Sequence, residues 1–229
     1  MNIVVFGGGT VGKFGHDFCL KAREQGHNVV MFSHTSNGTG DQQQHIIYYN
    51  NIAKTNNVLQ KVLSQLDNID IVLFNQRGAH YPRDKELWRL PDINQYQTSF
   101  NSHVVVPHLF LALAKDKLKD NSKVINMGTN LAWVYDIKEV SQLVGYSSGK
   151  SYLTHYIQAL ARNRENNTTF FTLCPSMDYN SEEDKQKYPA WCEALTKFIL
   201  TCTDEYNGEI VFTGRVDEFS KQIIRQNQK

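Results

Sequence analysis

The sequence lacks a long apolar run, an excess of one charge and any paired-cysteine motif. No apolar run approaches the roughly 18 residues that a membrane-spanning helix needs, so we expect no membrane span. Lys and Arg total 24 and Asp and Glu total 23, a formal net charge of +1. This balance leaves no electrostatic footprint for nucleic acid or an anionic membrane. We therefore predict neither a nucleic-acid partner nor a membrane partner.

The cysteines and histidines show no spacing that is typical of a metal site, so none is predicted. The amino terminus enters an apolar run directly, without the basic region and cleavage site of a signal peptide. Without a secretion signal, reduced and mostly buried thiols and a cytoplasmic location are the expectation. The cysteines are Cys19, Cys174, Cys192 and Cys202.

Short apolar runs alternate with helix-length segments along the whole chain, and 229 residues fit one domain, 1–229. Strands are predicted at 2–6, 29–32, 46–49, 69–74, 123–127, 168–173 and 209–212. Helices are predicted at 12–25, 51–66, 92–115, 146–164 and 189–203. This alternation indicates a parallel sheet covered by helices on both faces. We predict an α/β, doubly wound Rossmann fold with a seven-stranded, mostly parallel sheet.

A glycine-rich turn, GGGTVGKFG at residues 7–15, follows the first strand and opens the first helix. Glycines in such a turn let the backbone approach a dinucleotide pyrophosphate at the helix N-terminus. One spacing is Gly9-x-x-Gly12-x-x-Gly15; the other begins at Gly8 and meets Phe14 where a third glycine is expected. We assign Gly8, Gly9, Gly12 and Gly15 to cofactor binding. A glycine turn without a ligand is the alternative.

The end of the second strand, FSHTS at residues 32–36, carries no carboxylate. An NAD-specific site usually places an Asp or Glu there, on the ribose hydroxyls. A carboxylate would repel a 2′-phosphate, whereas hydroxyls and a histidine tolerate one. We therefore predict NADP as the cofactor, with NAD as the alternative, and Ser33 and His34 as contacts. His34 as an exposed loop residue is the other interpretation.

Tyr146 and Lys150 lie four residues apart in YSSGK, which places both on one face of a helix. An ammonium group near a phenol favours the phenolate. The tyrosine then becomes a usable proton donor and acceptor near neutral pH. An isolated pair of this kind also fits a core tyrosine beside a surface lysine, so the order of the preceding motifs carries the argument.

Strand, glycine turn, later asparagine and Tyr-x-x-x-Lys, in that order, resemble the short-chain dehydrogenase/reductase family over nearly the full length. DIVLFNQRG, residues 70–78, resembles its fourth strand and Asn-Asn-Ala-Gly turn, which places Asn75 at the cofactor; Gln76 and Arg77 depart from that turn. INMGT, residues 125–129, resembles the end of the fifth strand, with Thr129 in place of the usual serine. CPSM, residues 174–177, resembles the segment after the sixth strand, with Pro175 at the cofactor.

Two segments near the expected pocket differ from the family. Thr129 and Tyr146 are 17 residues apart, which exceeds the common spacing and indicates an insertion at 135–144. The usual substrate loop corresponds to residues 178–188, which are few and highly charged. A small or mobile lid is the expectation for that loop.

The resemblance implies hydride transfer between NADP(H) and a small carbonyl or alcohol. Tyr146 would be the general acid and base, and Lys150 would activate it and hold the nicotinamide ribose. Thr129 would bond the substrate oxygen, unless it only bonds backbone at the strand end. Asn101 would bend the following helix and support a water that connects Lys150 to solvent. A helix N-cap is the alternative for Asn101.

The departures from the family leave two other functions open. One is a catalytically weak NAD(P)-sensing protein with the same fold, and the other is a nucleotide-dependent transferase. The segment 104–114 is apolar nearly all round, broken by His108. One side of this helix would face the sheet and the other a second subunit. A homodimer or homotetramer is therefore expected, with a long core helix of a monomer as the alternative.

Overall fold

The computed structural model describes residues 1–34, 43–76, 93–129, 144–175, 182–213 and 222–223. Its strands are β1 (Asn2–Phe6), β2 (Asn28–Ser33), β3 (Gln44–Ile46), β4 (Ile69–Phe74), β5 (Leu118–Met127), β6 (Thr169–Pro175), β7 (Ile210–Thr213) and β8 (Gln222–Ile223). They form one sheet in the order β3-β2-β1-β4-β5-β6-β7-β8. All neighbours are parallel except β7 and β8. The predicted doubly wound, mostly parallel fold is confirmed, with β8 as a short antiparallel addition.

The helices occupy the segments between the strands. They are α1 (Phe14–Glu24), α2 (Ile52–Leu63), α3 (Ile93–Phe100), α4 (Val106–Ala114), α5 (Val144–Arg162) and α6 (Glu182–Thr201). A π-helical turn (Asn101–Val105) joins α3 to α4, and short 3-10 turns lie at Lys115–Lys117 and Asp204–Tyr206. Among the described residues, the helices are too short or too polar to cross a membrane.

Both faces of the sheet are covered, which explains why its strands are apolar without alternation. Val4 and Phe6 of β1 point to the layer that α2, α4 and α5 form. Ile3 and Val5 point to the opposite layer, where α1 and α6 pack. Because successive strand residues face opposite sides, one short apolar run supplies both cores.

Most predicted elements differ from the structure by a few residues at an end, and β5 begins five residues earlier than predicted, at Leu118. The third strand pairs with β2 through 44–46 rather than 46–49, and Ile47 still donates its backbone N–H to the carbonyl of Ser33 at 2.8 Å. Ile47 and Tyr49 are buried in the core on the side of the helices. The helix predicted at 92–115 is divided by the π-helical turn. The last long helix begins at Glu182, with Pro189 inside it. Much of the segment predicted to be a substrate loop is therefore helical.

The strand order reverses between β1 and β4, because β2 lies on one side of β1 and β4 on the other. In open α/β sheets the carboxyl ends of the strands at such a reversal border a crevice that binds ligands. The glycine turn follows β1 at this edge, and Asn75 follows β4. The fold thus brings these two motifs together, although 60 residues or more of sequence separate them.

Candidate active site

The glycine turn is shaped by close contacts that exclude side chains. A Cβ at Gly15 would lie 2.6 Å from the carbonyl oxygen of Gly7 and would overlap the Asn75 amide. Gly15 therefore lets the first turn of α1 pack directly on the end of β1, which is the role of the third glycine in dinucleotide-binding turns. Gly7 and Gly12 have positive φ angles of 86° and 70°.

Phe14 points away from this turn. Its ring is buried and packs edge-on against Trp191 of α6, with 5.3 Å between ring centroids. The spacing that the structure supports is therefore Gly9-x-x-Gly12-x-x-Gly15. Gly8 has a packing role, since a Cβ there would lie 2.7 Å from Cγ of Met31 on β2.

The shape of the glycine turn is compatible with a pyrophosphate close to its backbone. A Cβ at Gly12 would meet no described atom within 4 Å, so this part of the turn faces open space at the start of α1. Helix N-termini attract anions because their first N–H groups lack intrahelical acceptors. An exposed glycine beside a helix N-terminus is compatible with a dinucleotide pyrophosphate at this point.

Ser33 is the last residue of β2 and His34 follows it, but only one of the two is exposed. The Ser33 hydroxyl is buried and accepts a hydrogen bond from Nε2 of Gln44 at 2.6 Å. His34 is exposed, and its ring lies 5.8 Å from that of Tyr49. Of the two predicted contacts, His34 is therefore the one presented at the surface.

Asn75 and Gln76 connect the end of β4 to its surroundings. The Asn75 backbone N–H donates to Phe6 at 2.9 Å, and its side-chain amide donates to the carbonyl of Gly7 at 3.3 Å. Gln76 is buried and donates from Nε2 to the carbonyl of Ser102 at 3.1 Å. The glutamine that departs from the family turn thus supports the π-helical turn.

Asn101 is the first residue of the π-helical turn and is buried. Its Nδ2 donates to the carbonyl of Tyr49 at 2.6 Å, and its Oδ1 accepts from Gln97 at 2.9 Å. Its own carbonyl accepts from the N–H of Val106, five residues on. The N-cap interpretation is wrong, because α3 continues into Asn101 without a break. A π-helical turn therefore begins at Asn101, inside the helical segment.

Lys150 is buried to 1% exposure, and its Nζ donates to the carbonyl of Met127 at 2.6 Å. A buried ammonium is costly unless it is hydrogen-bonded. The bond brings the charge to the carboxyl end of β5, where Thr129 follows and is also buried. A surface role for Lys150 is therefore excluded.

Gly128 separates Met127 from Thr129 and fits tightly against β6. A Cβ there would lie 2.7 Å from Cγ2 of Thr172 and 2.8 Å from Sγ of Cys174. Its N–H donates to the carbonyl of Leu173 at 2.7 Å. Gly128 therefore keeps the chain close to the sheet up to Thr129.

Tyr146 is half-buried in the first turn of α5. Its ring meets that of His103 edge-to-face, with 5.6 Å between centroids and 69° between planes. His103 is fully buried in the π-helical turn. The sequence analysis did not single out His103 or the Gln76 contact. The feature of the sequence that could have indicated His103 is its position two residues after Asn101.

Pro175 is the last of the predicted cofactor contacts. Pro175 is half-buried, ends β6 and pairs in register with Thr213. Arg77, Ser176, most of the 135–144 insertion and residues 178–181 lie outside the described residues. Within the described ranges, no group of three His, Cys, Asp or Glu is arranged to hold a metal ion. The four cysteines are buried, and burial raises the pKa of Cys192 and Cys202.

Comparison with solved structures identifies the fold as that of short-chain dehydrogenases/reductases. A short-chain dehydrogenase family protein from Francisella tularensis subsp. tularensis SCHU S4 superposes with a TM-score of 0.70 at 14% identity, over 92% of this chain and 96% of that one. BdcA in complex with NADPH gives 0.72 at 12%, over 94% and 93%.

A third similar structure contains NAD in place of NADPH. An oxidoreductase of the same family from Brucella ovis, in complex with a partially ordered NAD, gives 0.70 at 13% identity, over 92% and 98%. No protein-family model matches the sequence, and the search of curated proteins found no match. The resemblance is thus confirmed at the level of fold, and the neighbours include both an NADPH and an NAD complex.

Proposed function

We propose that this protein is an NADP(H)-dependent oxidoreductase that interconverts a small carbonyl and its alcohol. The observation that carries the proposal is the buried ammonium of Lys150 at the end of β5, one helical turn from Tyr146. Burying a charge there costs free energy. The cost is explained if the ammonium acts on a nicotinamide ribose and on a reacting phenol beside it.

The cofactor would lie across the carboxyl edge of the sheet. The turn at Gly9 and Gly12 would hold the pyrophosphate, with Gly8 and Gly15 shaping it, and His34 and Ser33 would be next to the adenosine ribose. Asn75, Lys150 and Pro175 lie further along this edge, toward the nicotinamide. When bound, the nicotinamide supplies or accepts the hydride. The absence of a carboxylate at Ser33 and His34 favours NADP over NAD, because it leaves room for a 2′-phosphate.

The proton would come from Tyr146. In the reductive direction its hydroxyl would protonate the developing alkoxide, and Lys150 would favour the phenolate that remains. The Thr129 hydroxyl would donate a hydrogen bond to the same oxygen, where negative charge grows in the transition state. Asn101 would support the water path from Lys150 to solvent, since the π-helical turn that it begins packs against α5.

The test is nucleotide binding and carbonyl turnover measured on the same proteins. NADPH and NADH are titrated by fluorescence against the wild type, Tyr146→Phe and, as a matched control, Tyr152→Phe. Tyr152 is an exposed tyrosine of the same helix. We expect both variants to bind NADPH with wild-type affinity. Only Tyr146→Phe should lose turnover over a panel of aldehydes and ketones, by ~10²-fold or more.

The other outcomes separate the alternatives. Tight binding without turnover on any carbonyl would favour the NAD(P)-sensing protein. Binding of neither nucleotide would contradict both proposals, since both depend on the glycine turn. Full turnover in Tyr146→Phe would show that the proton donor is another group.

A second copy of the chain is the proposed partner. Leu109 and Leu113 of α4 and Tyr156 and Leu160 of α5 are only partly buried, although they pack on the core. Covering this face in a homodimer would bury their remaining apolar surface. Ala112→Arg, a change at an exposed position of α4, should convert a dimer to a monomer in light scattering. A wild-type monomer would contradict this proposal.

A further inference from the structure

His103 lies between the π-helical turn and the helix that carries Tyr146 and Lys150. Its side chain is fully buried. The Nδ1 atom is 3.0 Å from the carbonyl oxygen of Ser99, one turn back. A carbonyl oxygen only accepts hydrogen bonds, so Nδ1 carries the proton and the ring is held in one orientation. The Ser102 hydroxyl donates to the same carbonyl at 2.8 Å.

Gly149 lets this ring approach α5. A Cβ at position 149 would lie 2.9 Å from Cβ of His103 and 3.1 Å from its Cγ and Nδ1. Such distances require a neighbour to shift, so a larger residue at 149 would push the two segments apart. Gly149 lies within the Tyr-x-x-x-Lys motif, between the two residues that the proposed mechanism uses. The glycine therefore places the imidazole against the turn of α5 that bears the proposed proton donor.

The contact with Tyr146 is edge-to-face, the geometry in which aromatic rings attract one another. Tyr146 is half-buried, so part of its ring is exposed and part packs against His103. π-Helical turns often occur at functional sites. Here the turn places the histidine where it supports the protein side of the tyrosine ring.

We propose that His103 is a positioning residue for Tyr146, an inference that rests on the proposed function. It acts through the tyrosine: the fixed imidazole limits the swing of the phenol ring and so holds its hydroxyl near Lys150 and the substrate oxygen. It does not contribute to nucleotide binding.

Two substitutions separate the ring contact from the ring nitrogens. His103→Asn can keep a donor to the Ser99 carbonyl but removes the aromatic edge. His103→Phe keeps the ring and loses the nitrogens, while Ser102 still satisfies that carbonyl. His155→Asn is the matched control, because its Nδ1 also bonds the carbonyl four residues back, at 2.8 Å, on an exposed part of α5.

We expect His103→Asn to lower kcat by about tenfold or more, since small misplacements of a reacting group are costly. Its KM for the carbonyl and its Kd for NADPH should stay within about twofold of wild type. The pH at which activity is half-maximal should also move, because the phenol is then further from the ammonium. His103→Phe should restore kcat to within about threefold, and His155→Asn should match wild type in every respect.

A second readout needs no substrate. Tyrosine labelled with 13C at Cζ gives one NMR signal for Tyr146, assigned by its loss in Tyr146→Phe. Loss of a neighbouring ring should shift this signal in His103→Asn more than in His103→Phe, and His155→Asn should leave it in place. Circular dichroism and the melting temperature first establish whether each variant folds. If His103→Asn does not fold, the test is made with His103→Phe.

The outcomes distinguish this inference from the proposed function. An unmoved Tyr146 signal in His103→Asn would overturn the positioning role, whatever the protein catalyses. Equal losses of kcat in the Asn and Phe variants would overturn it as well, since the nitrogens would then matter rather than the ring. Turnover that survives in Tyr146→Phe would contradict the proposed function, while a shifted signal would still establish the contact.

Discussion

The side-chain nitrogen of Lys150 lies 2.6 Å from the carbonyl oxygen of Met127 and joins α5 to the end of β5. Only 1% of the surface of this lysine is exposed to solvent. A buried charge costs free energy even when it is hydrogen-bonded, so stability alone gives little reason to keep an ammonium group here. The proposed roles of this lysine in nucleotide binding and catalysis would supply that reason.

Lys150→Met tests that explanation. Methionine has a similar length without the charge, and we expect it to change the free energy of unfolding by no more than about 1 kcal/mol. The same variant should lose carbonyl turnover and bind NADPH at least about tenfold more weakly, since it loses the proposed ribose contact. Urea unfolding and fluorescence titration measure the two effects. A large loss of stability with unchanged NADPH binding would mean that the lysine is structural.

Gly12→Ala and Gly208→Ala form a matched pair. Both glycines have positive φ angles, 70° and 78°, and neither faces an atom closer than 3.6 Å at the Cβ position. Each alanine should therefore cost about 1 kcal/mol of stability from backbone strain alone. Only Gly12→Ala should weaken NADPH binding, because only that glycine lies in the proposed pyrophosphate turn. Equal NADPH affinity in the two variants would remove the turn from the binding site.

His108 should make the protein less stable in mild acid. Its ring stacks on that of Tyr156 at 3.5 Å between centroids, and desolvation by burial lowers the pKa of His108. The unfolded chain then binds the proton more readily than the folded protein. Stability due to His108 is present above about pH 6.5, the ordinary value, and is lost as the pH falls below it.

The measurement is urea unfolding at pH 7.5 and pH 5.5. His108→Gln should lose less stability between these two values than the wild type does. His155→Gln, at an exposed position, serves as the control and should decline as steeply as the wild type. An unchanged decline in His108→Gln would mean that other groups cause the acid sensitivity.

Tyr188→Phe should weaken the attachment of α6 to α1. The Tyr188 hydroxyl donates to Oδ2 of Asp17 at 2.6 Å across the two helices. Losing this bond should lower the free energy of unfolding by about 1 kcal/mol. Hydrogen exchange should rise in the amino-terminal half of α6, while Asp17→Asn, which keeps an acceptor, should show a smaller effect. Unchanged exchange in Tyr188→Phe would mean that other contacts between the two helices, such as the ion pair of Lys21 with Glu193, are sufficient to hold α6.

The sheet was predictable because its strands are short apolar runs bounded by turns, and β4 begins and ends at the predicted residues. The π-helical turn was not, since residues 101–105 lie inside one continuous helix-length segment and no local pattern marks a change of helix type. The first residue of this turn, Asn101, bonds instead to the carbonyl of Tyr49, which lies 52 residues away in the sequence. The early start of α6 was missed because Pro189 normally favours a helix beginning.

The candidate site, like the fold, was predictable only in part. The spacing of Tyr146 and Lys150 was sufficient to place them on one helical face, since helical periodicity is local. The sequence left two glycine spacings open, and the packing of Phe14 on Trp191 and of Gly15 on Gly7 favours the one that ends at Gly15.

By itself, then, the sequence determined the strand and helix alternation, the glycine turn and the Tyr-Lys pair, because each depends on residues a few positions apart. Only the tertiary structure decided that Lys150 is buried against Met127 and that His103 supports the ring of Tyr146. Those contacts join segments 23 and 43 residues apart, and their geometry depends on how helices pack on the sheet. No local pattern encodes that packing.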